Sequence, residues 1–131
     1  MDYYLTTTLQ NVTFDAAIIK TTEALKKEGF GVLTEIDITA TLKKKLDVDF
    51  YKYRILGACN PHYAYLALQK EDKIGTMLPC NLIVQEKKEG IVEVSAVNPI
   101  ASMISVENKK LGEIAIEIRN KLAKVISNLH L

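Results

Sequence analysis

Over residues 108–128 the apolar side chains step by four and three: Leu111, Ala115, Ile118, Leu122, Val125 and then Leu129. At 3.6 residues per turn these positions form one continuous stripe, while Glu113, Glu117, Lys121 and Lys124 fall on the far side. Glu117 and Lys121 stand in the favourable i, i+4 order. A stripe one face wide suits a helix laid across a sheet; a helix buried in a bundle centre would be apolar all round. The rest of the chain must therefore supply a sheet face for this helix to cover.

Five segments have strand character. Tyr3 to Leu9 is rich in Tyr and Thr and reads as an edge strand. Gly31 to Ile36, Phe50 to Leu56, Leu82 to Glu86 and Ile91 to Val97 follow. Lys87-Lys88-Glu89-Gly90 joins the last two as a hairpin, with Gly90 supplying positive φ. Between the first two strands Thr13 caps a helix carrying Phe14, Ala17, Ile18, Thr21 and Leu25, and Gly29 ends it. Two shorter helices are inserted. One is capped by Asp37 or Thr39, with Ile38, Leu42 and Leu46 on one face; the other runs from His62 to about Glu71, with Ala64, Ala67 and Leu68 as its stripe. Asn98-Pro99 starts a brief helical turn.

Setting the two short central helices aside, the order is β-α-β(4)-α. It predicts a two-layer α+β domain: an antiparallel five-stranded sheet with two long helices on one face and a wetter second face. No repeat or linker divides residues 1–131, so a single domain is expected.

Several function classes drop out. The formal net charge is +1 and the only basic run, Lys43-Lys44-Lys45, is short, so nothing points to nucleic acid. That run is read as a solvated helix face. No apolar run approaches the roughly 18 residues of a membrane span, and Met1-Asp2-Tyr3-Tyr4 is no secretory signal. With two cysteines there is no disulfide scaffold, and the expectation is a cytoplasmic protein with reduced thiols. No phosphate-cradling loop, His-Glu-x-x-His or Gly-x-Ser-x-Gly occurs, which argues against an enzyme of those classes.

The candidate site lies in residues 57–81. It opens Gly57-Ala58-Cys59-Asn60-Pro61 and closes Leu78-Pro79-Cys80-Asn81. Asn60 reads as an N-cap and Pro61 as the first helical residue, which places Cys59 at the positive end of a helix. Such a rim favours thiolate over thiol. Cys80 stands at the entrance of a strand, with Pro79 stiffening the approach. His62 makes a Cys-x-x-His spacing with Cys59 and offers a third ligand, although a closed zinc site needs four. Tyr51, Tyr53, Tyr63 and Tyr65 cluster around this stretch and are read first as packing and sheet formers.

The combination Leu56-Gly57-Ala58-Cys59-Asn60-Pro61, then Ala64, Ala67-Leu68 and Ile74-Gly75, then Leu78-Pro79-Cys80-Asn81, resembles a bacterial and archaeal family. That family is known as domain of unknown function three hundred and two. Gly29-Phe30-Gly31-Val32-Leu33 and the long last helix extend the resemblance over nearly the whole chain. It implies a TATA-binding-protein-like β-α-β(4)-α arrangement with an antiparallel sheet, and it implies no activity. His62 lies outside the family motif. The resemblance favours a meander in which Cys59 and Cys80 share one rim, over a βαβ crossover that would separate them.

Two function classes follow. In one, Cys59 and Cys80, with His62, Asn60 and Asn81 around them, bind a soft cation such as copper(I) or zinc, or cycle between dithiol and disulfide. In the other, the cysteines are buried structural residues of a non-catalytic ligand-binding or interaction module. Neither needs a metal for folding. A homodimer is expected in either case, because Ile116 lies off the main stripe of the last helix and the Tyr-rich first strand reads as a sheet edge.

Overall fold

In a computed structural model that describes residues 2–129, five strands form one antiparallel sheet. They are β1 (Tyr4–Gln10), β2 (Gly31–Asp37), β3 (Lys52–Cys59), β4 (Cys80–Lys88) and β5 (Ile91–Val97), in the order β1-β5-β4-β3-β2. The helices are α1 (Phe14–Lys27), α2 (Ile38–Leu46), α3 (Pro61–Lys70), α4 (Pro99–Met103) and α5 (Gly112–Ser127). This is the α+β arrangement and β-α-β(4)-α order that the sequence predicts, with short helices inserted.

Strand alternation divides the sheet into a dry face and a wet one. Leu56, Leu82, Val84, Val92 and Val94 are fully buried on the first. Leu122 and Val125 of α5 close over it, as do Ala17 and Leu25 of α1. Burying each such side chain contributes about 1.5–3 kcal/mol. The predicted α5 stripe is confirmed, since Leu111, Ala115, Ile118, Leu122, Val125 and Leu129 are all buried. Leu111 belongs to a preceding 3-10 turn, Lys109–Leu111, capped by Asn108, whose Oδ1 accepts from the Lys110 amide at 3.0 Å.

Local chemistry sets the other boundaries. Thr13 Oγ1 accepts from the Ala16 amide at 3.1 Å and starts α1. Asp37, not Thr39, caps α2, its Oδ1 accepting from the Ala40 amide at 2.9 Å. Thr39 instead ties α2 to the chain entering β3: its hydroxyl donates to the Tyr51 carbonyl at 2.7 Å and accepts from the Tyr53 amide at 2.9 Å. Gly90 turns the β4–β5 hairpin at φ +80°.

The two short central helices bury little. α2 buries none of its side chains and leaves Leu46 exposed, because it links edge strand β2 to β3 rather than covering the sheet. In α3 only Ala67 is fully buried and Leu68 is exposed. The helix packs through Tyr63, Leu66 and Ala67, a stripe rotated by about one position from the predicted one.

Candidate functional site

β3 ends at Cys59, β4 begins at Cys80, and the two strands are antiparallel neighbours. The excursion between them, α3 and a 3-10 turn at Ile74–Met77, leaves the sheet and returns to the same rim. The meander geometry therefore holds. The register is Ala58↔Cys80 and Gly57↔Asn81, so the cysteines are one residue out of step. Ala58, not Cys59, shares a face with Cys80. Both cysteines are free thiols, Cys59 half-buried and Cys80 buried. The expectation of a closely paired dithiol is corrected on this ground: a disulfide here would require the strand ends to shift.

A cavity of about 290 Å³ opens at this rim between α3 and the sheet. Cys59 and Cys80 both line it, together with Ala58, Ala64, Ala67, Leu78 and Phe30. Asn60 and Pro79 complete the wall. The small side chains of Ala64 and Ala67 on α3 leave this space open. Burial pushes the Cys80 thiol up to about 11, and the neighbouring Cys59 adds to this. For Cys80 that is opposite to the thiolate-favouring rim expected from the sequence. The cause is that Cys80 lies under the apolar wall, where desolvation disfavours the anion.

The supporting residues divide. Pro61 takes the first position of α3 as predicted. Asn60 sits at the N-cap position, but its side chain accepts no bond from the helix; Nδ2 donates to the Glu28 carbonyl at 3.3 Å. Gly57 is required by space: a Cβ there would stand 2.8 Å from Pro79 Cγ and would overlap Thr34 Oγ1. His62 is exposed and lies edge-on to Tyr63, with ring centroids 5.2 Å apart. Among the described residues no group of three His, Cys, Asp or Glu side chains could hold a metal ion, so the His62 ligand of the three-donor reading has no such group to join.

Asn81, one residue past Cys80, turns to the opposite face. It lines a second, larger concavity of about 500 Å³ on the open side of the sheet, with Tyr4, Thr6, Tyr53, Gln85 and Ser95. The sequence reading did not single out this surface. Its signal was present in the alternation of Asn81, Ile83 and Gln85 with buried residues along β4, and of Glu93 with Val92 and Val94 along β5. Burial, and then the nearby Tyr51 and Tyr3, push the Tyr53 hydroxyl upward. Gln85 Nε2 donates to the Tyr51 hydroxyl at 3.1 Å. The four central tyrosines thus separate: Tyr51 stacks on Phe50, Tyr53 lines the open face, Tyr63 lines the apolar cavity, and Tyr65 is exposed.

The profile of the family described as "Domain of unknown function DUF302" matches residues 5–129. The chain belongs to the DUF302 family. It is also similar to a solved protein titled "Crystal structure of uncharacterized conserved protein DUF302 from Bacillus stearothermophilus". The two share 29% identity with a TM-score of 0.90, over 99% of this chain and 100% of that one. No curated protein matches. The DUF302 match covers all five strands but for Tyr4 at the start of β1, and both cysteine-bearing segments. No helix among the described residues is long and apolar enough to cross a membrane.

Proposed function

We propose that this DUF302 domain is a non-catalytic binding module whose rim cavity takes a small, mainly apolar ligand. Cys59 and Cys80 form part of the wall. The observation that carries this is the cavity's lining: side chains of Ala, Leu, Phe, Met, Ile and Pro around a buried Cys80 whose thiol stays protonated at neutral pH. At about 290 Å³ the space is at the small end of ligand pockets, which run from roughly 300 to 1,000 Å³. A single fused ring system suits it.

The test is titration with indole, followed through backbone amide resonances. Saturable shifts at Ala64, Ala67 and Cys80 are expected, and Ala64→Leu should abolish them in a folded protein by filling the space. Absence of saturation, or shifts that survive Ala64→Leu, would overturn the reading.

A second reading keeps the thiols as soft-cation ligands, and one observation favours it: both free thiols line the same cavity. Copper(I) fits better than zinc, since structural zinc closes with four ligands. Binding must displace the Cys80 proton, which burial opposes. Anaerobic copper(I) titration of the reduced protein separates the readings. Stoichiometric uptake lost in both Cys59→Ser and Cys80→Ser supports the cation, and no uptake removes it.

A further inference from the structure

The two edges of the sheet differ. On β2 the ladder to β3 slips between Val32 and Thr34, and the strand carries Glu35 and Asp37, both drawn onto Arg54. Irregular registers and edge charges are devices by which sheets refuse a further strand. β1 has neither. Tyr4-Leu5-Thr6-Thr7-Thr8-Leu9-Gln10 contains no charge and no Pro. Its register against β5 runs unbroken from Tyr4↔Val97 to Gln10↔Ile91, and among the described residues no strand lies beyond it.

The ladder also fixes which backbone groups face outward. The Asn98 amide donates to the Tyr3 carbonyl at 2.8 Å, and the Asn11 amide donates to the Gly90 carbonyl at 3.2 Å. Bonded and non-bonded pairs alternate along an antiparallel ladder. The odd-numbered residues from Tyr3 to Asn11 therefore bond into β5. The N–H and C=O groups of Tyr4, Thr6, Thr8 and Gln10 point away from the sheet.

This outward set is self-complementary. About Thr7 the strand reads nearly the same in both directions, Leu5 mirroring Leu9 and Thr6 mirroring Thr8. A second β1 laid antiparallel, Thr7 against Thr7, sets Thr6 against the partner's Thr8 and Tyr4 against the partner's Gln10. All are outward-bonding residues, so each pair exchanges both backbone bonds. Threonine meets threonine on the open face, and leucine meets leucine on the helix-covered face.

From this register we infer that β1 is the seam of a homodimer. Two copies of this chain pair through β1 about a twofold axis at Thr7, joining two five-stranded sheets into one with all helices on the same side. Tyr4 and Thr6 also line the open-face concavity, so the axis sets the two concavities side by side.

Sedimentation velocity at micromolar concentration is the test, and it should give twice the chain mass. Thr8→Pro removes an outward N–H and spares the ladder to β5, and Thr8→Lys places a charge at the seam. Both should give monomers with unchanged circular dichroism, while Ile36→Lys on the opposite edge should stay dimeric. Amide exchange on the unmodified protein supplies a readout free of folding effects: Thr6 and Thr8 amides should gain protection as concentration rises. A wild-type monomer overturns the inference, as does a dimer in folded Thr8 variants, or Thr6 and Thr8 amides that exchange freely in the dimer.

Discussion

Asn60 fastens the start of α3 to the end of α1: its Nδ2 donates to the Glu28 carbonyl at 3.3 Å. The bond satisfies a carbonyl just past the last turn of α1, where intrahelical partners run out. Gly29 follows at φ +84°, and a Cβ there would stand 3.0 Å from the same Nδ2. Helix end, left-handed turn and amide tie therefore form one unit against the cavity wall. The tie needs a donor, whereas an N-cap needs an acceptor.

That difference gives the first prediction. Asn60→Ala should cost on the order of 1 kcal/mol, the net worth of one hydrogen bond. Asn60→Asp should cost more, because a carboxylate turned toward the Glu28 carbonyl sets acceptor against acceptor. Were Asn60 a cap, Asp would serve about equally well. Urea unfolding of the two variants decides the order, and an Asp variant as stable as wild type would refute the tie.

Gly57 gives the second prediction. It lies where β3 passes under Thr34 and Pro79, and an added Cβ overlaps Thr34 Oγ1 and comes within 2.8 Å of the Pro79 ring. Gly57→Ala should destabilise by about 1–3 kcal/mol, as overpacking does. Thr34→Ala in the same chain should recover part of the loss, leaving the Pro79 contact. Chemical denaturation of both single variants and the double variant measures this coupling. Strict additivity would show that the two residues do not meet.

The third prediction concerns the dry layer. Leu122 is fully buried between α5 and the sheet. Leu122→Ala should cost about 2–5 kcal/mol by lost transfer energy plus the cavity left behind. Glu113→Ala, on the exposed side of α5, should change stability by no more than about 0.5 kcal/mol. Equal effects in urea unfolding would mean that α5 is not docked.

How far these features could be read in advance follows from the range of the interactions. Periodicity is local, and it located α5, α1 and the strands. Caps are local as well: Thr13 and Asn98 accept the bonds predicted for them. Asn60 has the sequence of a cap, but its partner, Glu28, is 32 residues away, and no local pattern records that. The cysteine rim was legible through the family resemblance, which favours a meander over a crossover; in an antiparallel meander a strand end and the next strand start meet. Its chemistry was not. The one-residue offset between Cys59 and Cys80 depends on the β3–β4 register, and the protonated state of Cys80 depends on what covers it. The open face has no local signature of its own, because its residues come from separate strands, each with an ordinary polar alternation.

The last prediction concerns pH. Burial first, and then the neighbouring Cys59, raise the Cys80 thiol from its ordinary 9.0 to about 11. Below pH 9 both folded and unfolded chains hold this proton, so the group adds no pH dependence. Between pH 9 and 11 the unfolded chain releases the proton while the folded one keeps it. The folded state then binds more protons, and stability falls as pH rises. The slope from this one group approaches about 1.4 kcal/mol per pH unit, and the total is about 3 kcal/mol as an upper figure. Cys80→Ala should carry a constant packing penalty and lack this slope. Its stability deficit relative to wild type should therefore shrink across the same window. Urea unfolding at pH 8, 9, 10 and 11 measures the gap. Parallel curves for the two proteins would show that Cys80 ionises alike in both states and would remove the buried, protonated wall from the proposed cavity.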